Sequence, residues 1–161
     1  MIEPEAARPA VAYEEDLTLP PGDSTTQREA EAVILAILGE RLGAKLTPTR
    51  IQLADQTRVE VDGASEDPPI LCEAWAHQGP PKSAQRNKVL TDALKLAFVG
   101  SLRTPRPRLV LALSDLEAAK PFTGKSWYAH ALRELGIEVM VVELPADLRE
   151  RIRQAQVKQY R

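Results

Sequence analysis

The sequence predicts a single α/β domain whose central mixed sheet of about five strands is flanked by helices. Its 161 residues suit one domain, and its hydrophobic content of 43% and charged content of 27% are typical of globular proteins. Patterned segments follow in the order helix, three strands, helix, strand, helix, strand, helix. The last two strands are nearly all apolar and are joined through a helix, which indicates a parallel pair with a right-handed crossover.

Residues 1–25 are predicted to form an acidic, proline-containing arm, and residues 26–161 the α/β domain. The arm contains six acidic residues and one basic residue, Arg8, so its net charge is −5. The whole chain has a net charge of −2, so the rest of the chain is basic. Such an arm either solubilises the chain or shields a basic surface that binds nucleic acid.

The first half of the domain is predicted to hold one helix and an antiparallel meander of three strands. The helix begins at a cap on Ser24 or Thr25 and ends near Gly43, with apolar residues at helical spacing between them. The strands run over residues 49–53, over 57–61 or a little beyond, and over 70–77, with a break over residues 63–69 before the third.

The second half of the domain is predicted to alternate helices with buried strands. A helix capped by Ser83 precedes the apolar strand 107–115, and a helix from the Ser126 cap to Gly136 precedes the apolar strand 137–144. A basic amphipathic helix over residues 146–160 ends the chain. Residues 119–126, "AKPFTGKS", satisfy a relaxed phosphate-loop pattern, but Pro121 removes a backbone N–H group and only one glycine is present. We expect a surface loop there.

Two carboxylates lie on neighbouring strands of the predicted meander. Alternation places Leu71, Glu73 and Trp75 on one face of the third strand, and Asp62 on the polar face of the second. If these strands pair, Asp62 and Glu73 come close together, and they repel unless a cation or a proton lies between them. Hard oxygen ligands favour Mg²⁺ or Mn²⁺ over zinc.

A polar stripe follows on the next predicted helix. Gln85, Lys88, Asp92 and Lys95 are spaced three, four and three residues apart, so they share one helix face. The stripe is either a solvated face with lysine–aspartate pairs or part of a site beside the acid-bearing strand.

From residue 24 to residue 144 the order of elements resembles that of the PD-(D/E)XK nuclease superfamily, the restriction-endonuclease-like fold. In that family an acid ends the second strand and Glu-x-Lys lies in the third, where Asp62 and Glu73 match the two acids. Gln85 matches a helix residue of the family, and Glu29 or Glu31 matches an acid on the first helix. The resemblance implies that Asp62, Glu73 and the carbonyl group of Ala74 bind Mg²⁺ for phosphodiester hydrolysis, with DNA favoured over RNA.

Trp75 departs from the family pattern because it stands at the position of the motif lysine. Either a lysine from the next helix replaces the missing one, with Lys88 the first candidate and Lys82 and Lys95 behind it, or the site is degenerate. In the second case the chain is a nuclease-like module that binds nucleic acid or protein without catalysis.

The expected partner is nucleic acid, and a homodimer is compatible with the sequence. The predicted nucleic-acid contacts are His77, Lys82, Lys95, Arg106 and Arg108. The alternatives are a structural histidine at the end of the strand and, for the arginines, a solvated linker, and residue type alone favours these alternatives. The lone Cys72 is expected to be a buried apolar residue in a reducing cytoplasm. No apolar run is long enough to span a bilayer, and no signal peptide is recognised.

Overall fold

The computed structural model describes residues 21–159, and in them five helices pack against one five-stranded sheet. The helices are α1 (Pro21–Leu42), α2 (Ser83–Ser101), α3 (Leu116–Thr123), α4 (Trp127–Glu134) and α5 (Ala146–Gln159). The strands are β1 (Thr47–Gln52), β2 (Arg58–Glu66), β3 (Pro69–Trp75), β4 (Arg108–Leu113) and β5 (Ile137–Val141). None of the helices in this part of the chain is long and apolar enough to cross a membrane.

The strands lie in the sheet in sequence order, from β1 to β5. β1, β2 and β3 pair antiparallel, and β3, β4 and β5 pair parallel, so the predicted mixed sheet is confirmed. The change of direction at β3 follows from the connections. A short turn can join only antiparallel neighbours, whereas the route from β3 to β4 passes through α2.

Each face of the sheet buries its own apolar cluster. Leu71 and Trp75 of β3 belong to the cluster that includes α2, α3 and α4, whereas Cys72 and Ala74 belong to the cluster that includes α1 and α5. The alternation predicted for this strand is therefore correct. It also sends the side chain of Glu73 to the α2 side, among apolar residues.

The first helix begins earlier than its predicted cap at Ser24 or Thr25. Helix α1 begins at Pro21, inside the predicted arm, while residues 1–20 lie outside the described part of the chain. A proline fits the first turn of a helix because no intrahelical bond needs its missing N–H group. The cap of α2 also moves by one residue, from Ser83 to Lys82, because the Lys82 N–H group donates to Gln85 Oε1 at 2.8 Å.

Three further boundaries differ. β2 continues to Glu66, so the predicted break over residues 63–69 shrinks to Asp67 and Pro68. β3 ends at Trp75, two residues before the predicted end. The expected loop over residues 119–126 is largely helical: α3 starts at the Asp115 cap and buries Ala118, Ala119 and Phe122, which offsets the presence of Pro121.

Candidate functional site at the point where two strands separate

Asp62 and Glu73 meet just beyond the last paired residues of β2 and β3. The ladder between these strands runs from Glu66–Pro69 to Gly63–Cys72. Beyond Gly63–Cys72, two backbone N–H groups donate to side-chain carboxyl oxygens instead of to backbone carbonyl oxygens of the neighbouring strand. The Asp62 N–H group donates to Glu73 Oε2 at 3.3 Å, and the Ala74 N–H group donates to Asp62 Oδ2 at 2.9 Å. The two acids therefore close the end of the ladder while lying against each other.

A lysine from α2 completes this pair. The Lys95 ammonium group contacts Glu73 Oε1, donates to the carbonyl oxygen of Glu60 at 2.9 Å and lies 4.0 Å from Asp92 Oδ1. Its side chain is 28% exposed, so the charge lies between the sheet and solvent. One ammonium group thus links β2, β3 and α2.

Lys88, the lysine first expected to contact Glu73, lies elsewhere. Its ammonium group pairs with Asp92 Oδ2 at 3.3 Å, and its side chain is 56% exposed. The loop over residues 76–82 carries the chain beyond the end of β3, and α2 then runs back along the strand. A residue in the first turns of α2 is therefore still short of Glu73, and Lys95, about two turns later, comes level with it.

Burial sets the protonation of this cluster. The pKa of Glu73 is raised to about 9, first by burial and then by the hydrogen bond and charge of Asp62, which together outweigh Lys95. Burial lowers the pKa of Lys95, but the hydrogen bond and charge of Glu73, with the charges of Asp92 and Asp62, raise it overall. At neutral pH Lys95 is charged, and Glu73 holds a proton that a cation would displace.

A third carboxylate approaches from α1. Glu31 and Asp62 line the same cleft of about 480 Å³, together with Arg28. The pKa of Glu31 is raised to about 7, first by burial and then by the charge of Asp62. Glu29, the other acid considered for this position, instead forms a two-bond ion pair with Arg151 of α5 at 2.9 and 3.0 Å. Glu31 is thus the acid of α1 that faces Asp62.

Trp75 fills the space beside the carboxylate pair. It is 5% exposed and belongs to the core cluster that includes Val89 and Leu96 of α2. The ring of His77 stacks on it at a centroid distance of 4.5 Å with an interplanar angle of 5°. His77 is 8% exposed, and burial lowers its pKa against the opposing effects of the Pro80 carbonyl and Asp115. This places His77 in the interior and not on an open surface.

The remaining predicted site residues lie away from Glu73. Gln85 accepts the hydrogen bond that caps α2, and Lys82 is exposed at the same helix end. Arg106 donates to the carbonyl oxygen of Leu135 at 2.6 Å, and Arg108 forms two bonds to Glu138 at 2.5 and 2.9 Å. Arg108 aligns with Ile70 at the start of β3, toward the end of the strand away from Trp75. Their proposed contacts with nucleic acid stay predictions.

The oxygen atoms of Asp62 and Glu73 suit a hard divalent cation, with the neighbouring Glu31 as a further carboxylate. No group of three or more His, Cys, Asp or Glu residues within residues 21–159 is arranged to hold a metal ion. A metal site here would therefore need a rearrangement of Glu31 or ligands from water.

Comparisons of this chain with protein-family models, with curated proteins and with solved structures find no match.

Proposed function

We propose that this chain is a metal-dependent nuclease that hydrolyses phosphodiester bonds, in DNA in preference to RNA. One observation carries the proposal: Asp62 and Glu73 lie against each other on neighbouring strands, and the Lys95 ammonium group contacts Glu73. The order α1–β1–β2–β3–α2–β4 is also the order on which the resemblance to the PD-(D/E)XK superfamily rests.

Asp62 and Glu73 would hold Mg²⁺ or Mn²⁺, which supplies a polarised phosphate and a hydroxide nucleophile when bound. Burial and the hydrogen bond to Asp62 raise the pKa of Glu73, so the two carboxyl groups resist carrying a negative charge at the same time. Ionising both acids requires positive charge beside them. Lys95 provides part of it, and a divalent cation would provide the rest.

Lys95 takes the role of the motif lysine that Trp75 cannot fill. An indole ring carries no charge and cannot stabilise the negative charge that develops on a phosphate, whereas an ammonium group can. Because Lys95 is 28% exposed and fixed by Glu73 and the Glu60 carbonyl, its charge is held at the edge of the carboxylate pair. The buried Trp75 supports α2, from which Lys95 projects.

A second candidate function is a binding module without catalysis. Glu73 is only 3% exposed, and both acids already accept backbone N–H groups at the end of the β2–β3 ladder. A pair of acids that closes a strand ladder has a structural role whether or not it holds a metal ion.

The discriminating experiment incubates the full chain with plasmid and single-stranded DNA in Mn²⁺. We expect cleavage by the wild type, none by Asp62→Asn, and unchanged cleavage by Asp147→Asn, which removes an exposed carboxylate from the first turn of α5. Equal cleavage by Asp62→Asn and wild type would refute the assigned site. A wild type that binds DNA but cleaves none would favour the binding module.

A further inference from the structure

A second cleft, of about 610 Å³, lies at the hairpin end of β2, beyond Asp62 in the middle of that strand. Its walls come from the segment before β1, from the β2–β3 hairpin and from the segment that joins α2 to β4. Thr49 of β1 lines both this cleft and the cleft that contains Glu31 and Asp62. The two clefts therefore meet at the edge strand of the sheet.

Two basic residues line the second cleft, Lys45 and Arg103. Within residues 21–159, neither side chain has an ion pair or a hydrogen bond. Arg106 of the same segment and Arg108, the first residue of β4, are occupied, since Arg106 donates to the Leu135 carbonyl oxygen and Arg108 pairs with Glu138. Among the described residues, Arg103 is thus the arginine of this segment whose guanidinium group has no partner, and it lines the cleft.

The rest of the lining suits an oxyanion. Thr47, Ser65 and Thr104 supply hydroxyl groups, and prolines on the walls restrict the backbone. Glu66 is the one carboxylate among the lining residues, so the cleft carries a net positive charge of one. Lysine and arginine side chains and the hydroxyl groups of serine and threonine are among the groups that proteins use to bind nucleic-acid phosphates.

We infer that this cleft binds phosphate groups of a nucleic-acid strand, with Lys45 and Arg103 as the charged contacts. The inference rests on the proposed nuclease function for its ligand class, because a strand held at Asp62 would pass Thr49 to reach the second cleft. It assigns the phosphate contact to Arg103, whose guanidinium group is uncommitted, and not to Arg106 or Arg108.

The test measures binding of a fluorescent single-stranded oligonucleotide to the full chain in EDTA, over a series of salt concentrations. The double variant Lys45→Ala/Arg103→Ala is compared with Lys120→Ala/Lys125→Ala, which removes the same charge from exposed lysines outside the cleft. We expect the salt slope of the first variant to fall by about 0.7 for each lost contact, about 1.4 in all, and the second to keep the wild-type slope.

Equal slopes for the two double variants would overturn the inference, because net charge alone would then explain binding. Absence of binding by the wild type at low salt would overturn it as well. Neither result depends on metal, so the nuclease proposal is judged separately by cleavage and by Mn²⁺-dependent melting. Conversely, binding that depends on Lys45 and Arg103 without any cleavage would support the cleft while refuting the catalytic function.

Discussion

The ammonium group of Lys95 rests against the buried carboxyl group of Glu73, while that of Lys88, about two turns earlier on α2, pairs with Asp92 in a more exposed position. The two lysines share a helix and a side-chain type, and both approach Asp92, but Lys95 also contacts Glu73. They therefore form a matched pair for separating a role at the site from a general effect of positive charge.

Lys95→Met is expected to reduce Mn²⁺-dependent cleavage by about 10²-fold or more, because it removes the only ammonium group in contact with Glu73 within the described residues. Lys88→Met removes the same charge from the neighbouring surface and should leave cleavage close to the wild-type rate. Single-turnover cleavage of a short DNA substrate measures both. Similar losses in the two variants would contradict the position assigned to Lys95.

Mn²⁺ is expected to raise the melting temperature of the wild type, since a ligand that binds the native state stabilises it by mass action. At a hundredfold excess over Kd the gain is about 2.7 kcal/mol, or about 5–10 °C for a domain of this size. Asp62→Asn should abolish the rise, and Asp147→Asn should keep it. Differential scanning calorimetry in Mn²⁺ and in EDTA measures the melting temperature. A wild-type melting temperature that is the same in both would count against a metal site.

Without metal, the stability of the protein should fall as pH rises. The pKa of Glu73 is about 9 in the folded state against an ordinary value of 4.5, so the folded state binds more protons and loses that advantage between these two values. Glu31, with a pKa of about 7, contributes in the same direction but only up to about pH 7. The buried Cys72 thiol, whose pKa is raised from 9.0 to about 12, adds to the decline only as pH approaches 9. The decline between pH 7 and pH 8 therefore comes mainly from Glu73.

Urea unfolding in EDTA at pH 7, 8 and 9 tests this dependence. Glu73→Gln should flatten the decline across that window, whereas Glu31→Gln should act mainly below it. A wild type whose unfolding midpoint is constant from pH 7 to pH 9 would show that Glu73 is already ionised, and that the positive charge of Lys95 dominates its surroundings.

The order of elements and the meeting of Asp62 with Glu73 were predictable from local pattern. Alternation fixed the face of Glu73, and the hairpin brought the two strands together. The end of β2 was not predictable because residues 63–66 have low strand propensity. Gly63 fits this position in the strand because it has no side chain: a Cβ atom there would lie 2.8 Å from Cys72 Sγ and from Leu35 Cδ2.

Which lysine contacts Glu73 depends on how far along β3 each residue of α2 lies, and a single sequence does not give that position. The face shared by Lys88 and Lys95 was visible in their spacing, but their height along β3 depends on the loop over residues 76–82. That loop is fixed by long-range contacts. The Gln78 side chain donates to the carbonyl oxygen and hydroxyl group of Ser114, at 3.2 and 2.9 Å, and the Gly79 N–H group donates to Asp115 at 2.7 Å.

Trp75 is expected to be a stabilising core residue whatever the activity of the site. Its ring is 5% exposed, stacks on His77 and packs in the cluster that includes α2, so Trp75→Ala leaves a large cavity and should cost about 3–5 kcal/mol. Trp127→Ala is the matched control, because that side chain is 74% exposed and its loss should cost within about 0.5 kcal/mol. Urea unfolding followed by circular dichroism measures both free energies. If Trp75→Ala cost no more than Trp127→Ala, the ring could not be the support under α2 that holds Lys95 at Glu73, and the replacement of the motif lysine by tryptophan would lose its structural explanation.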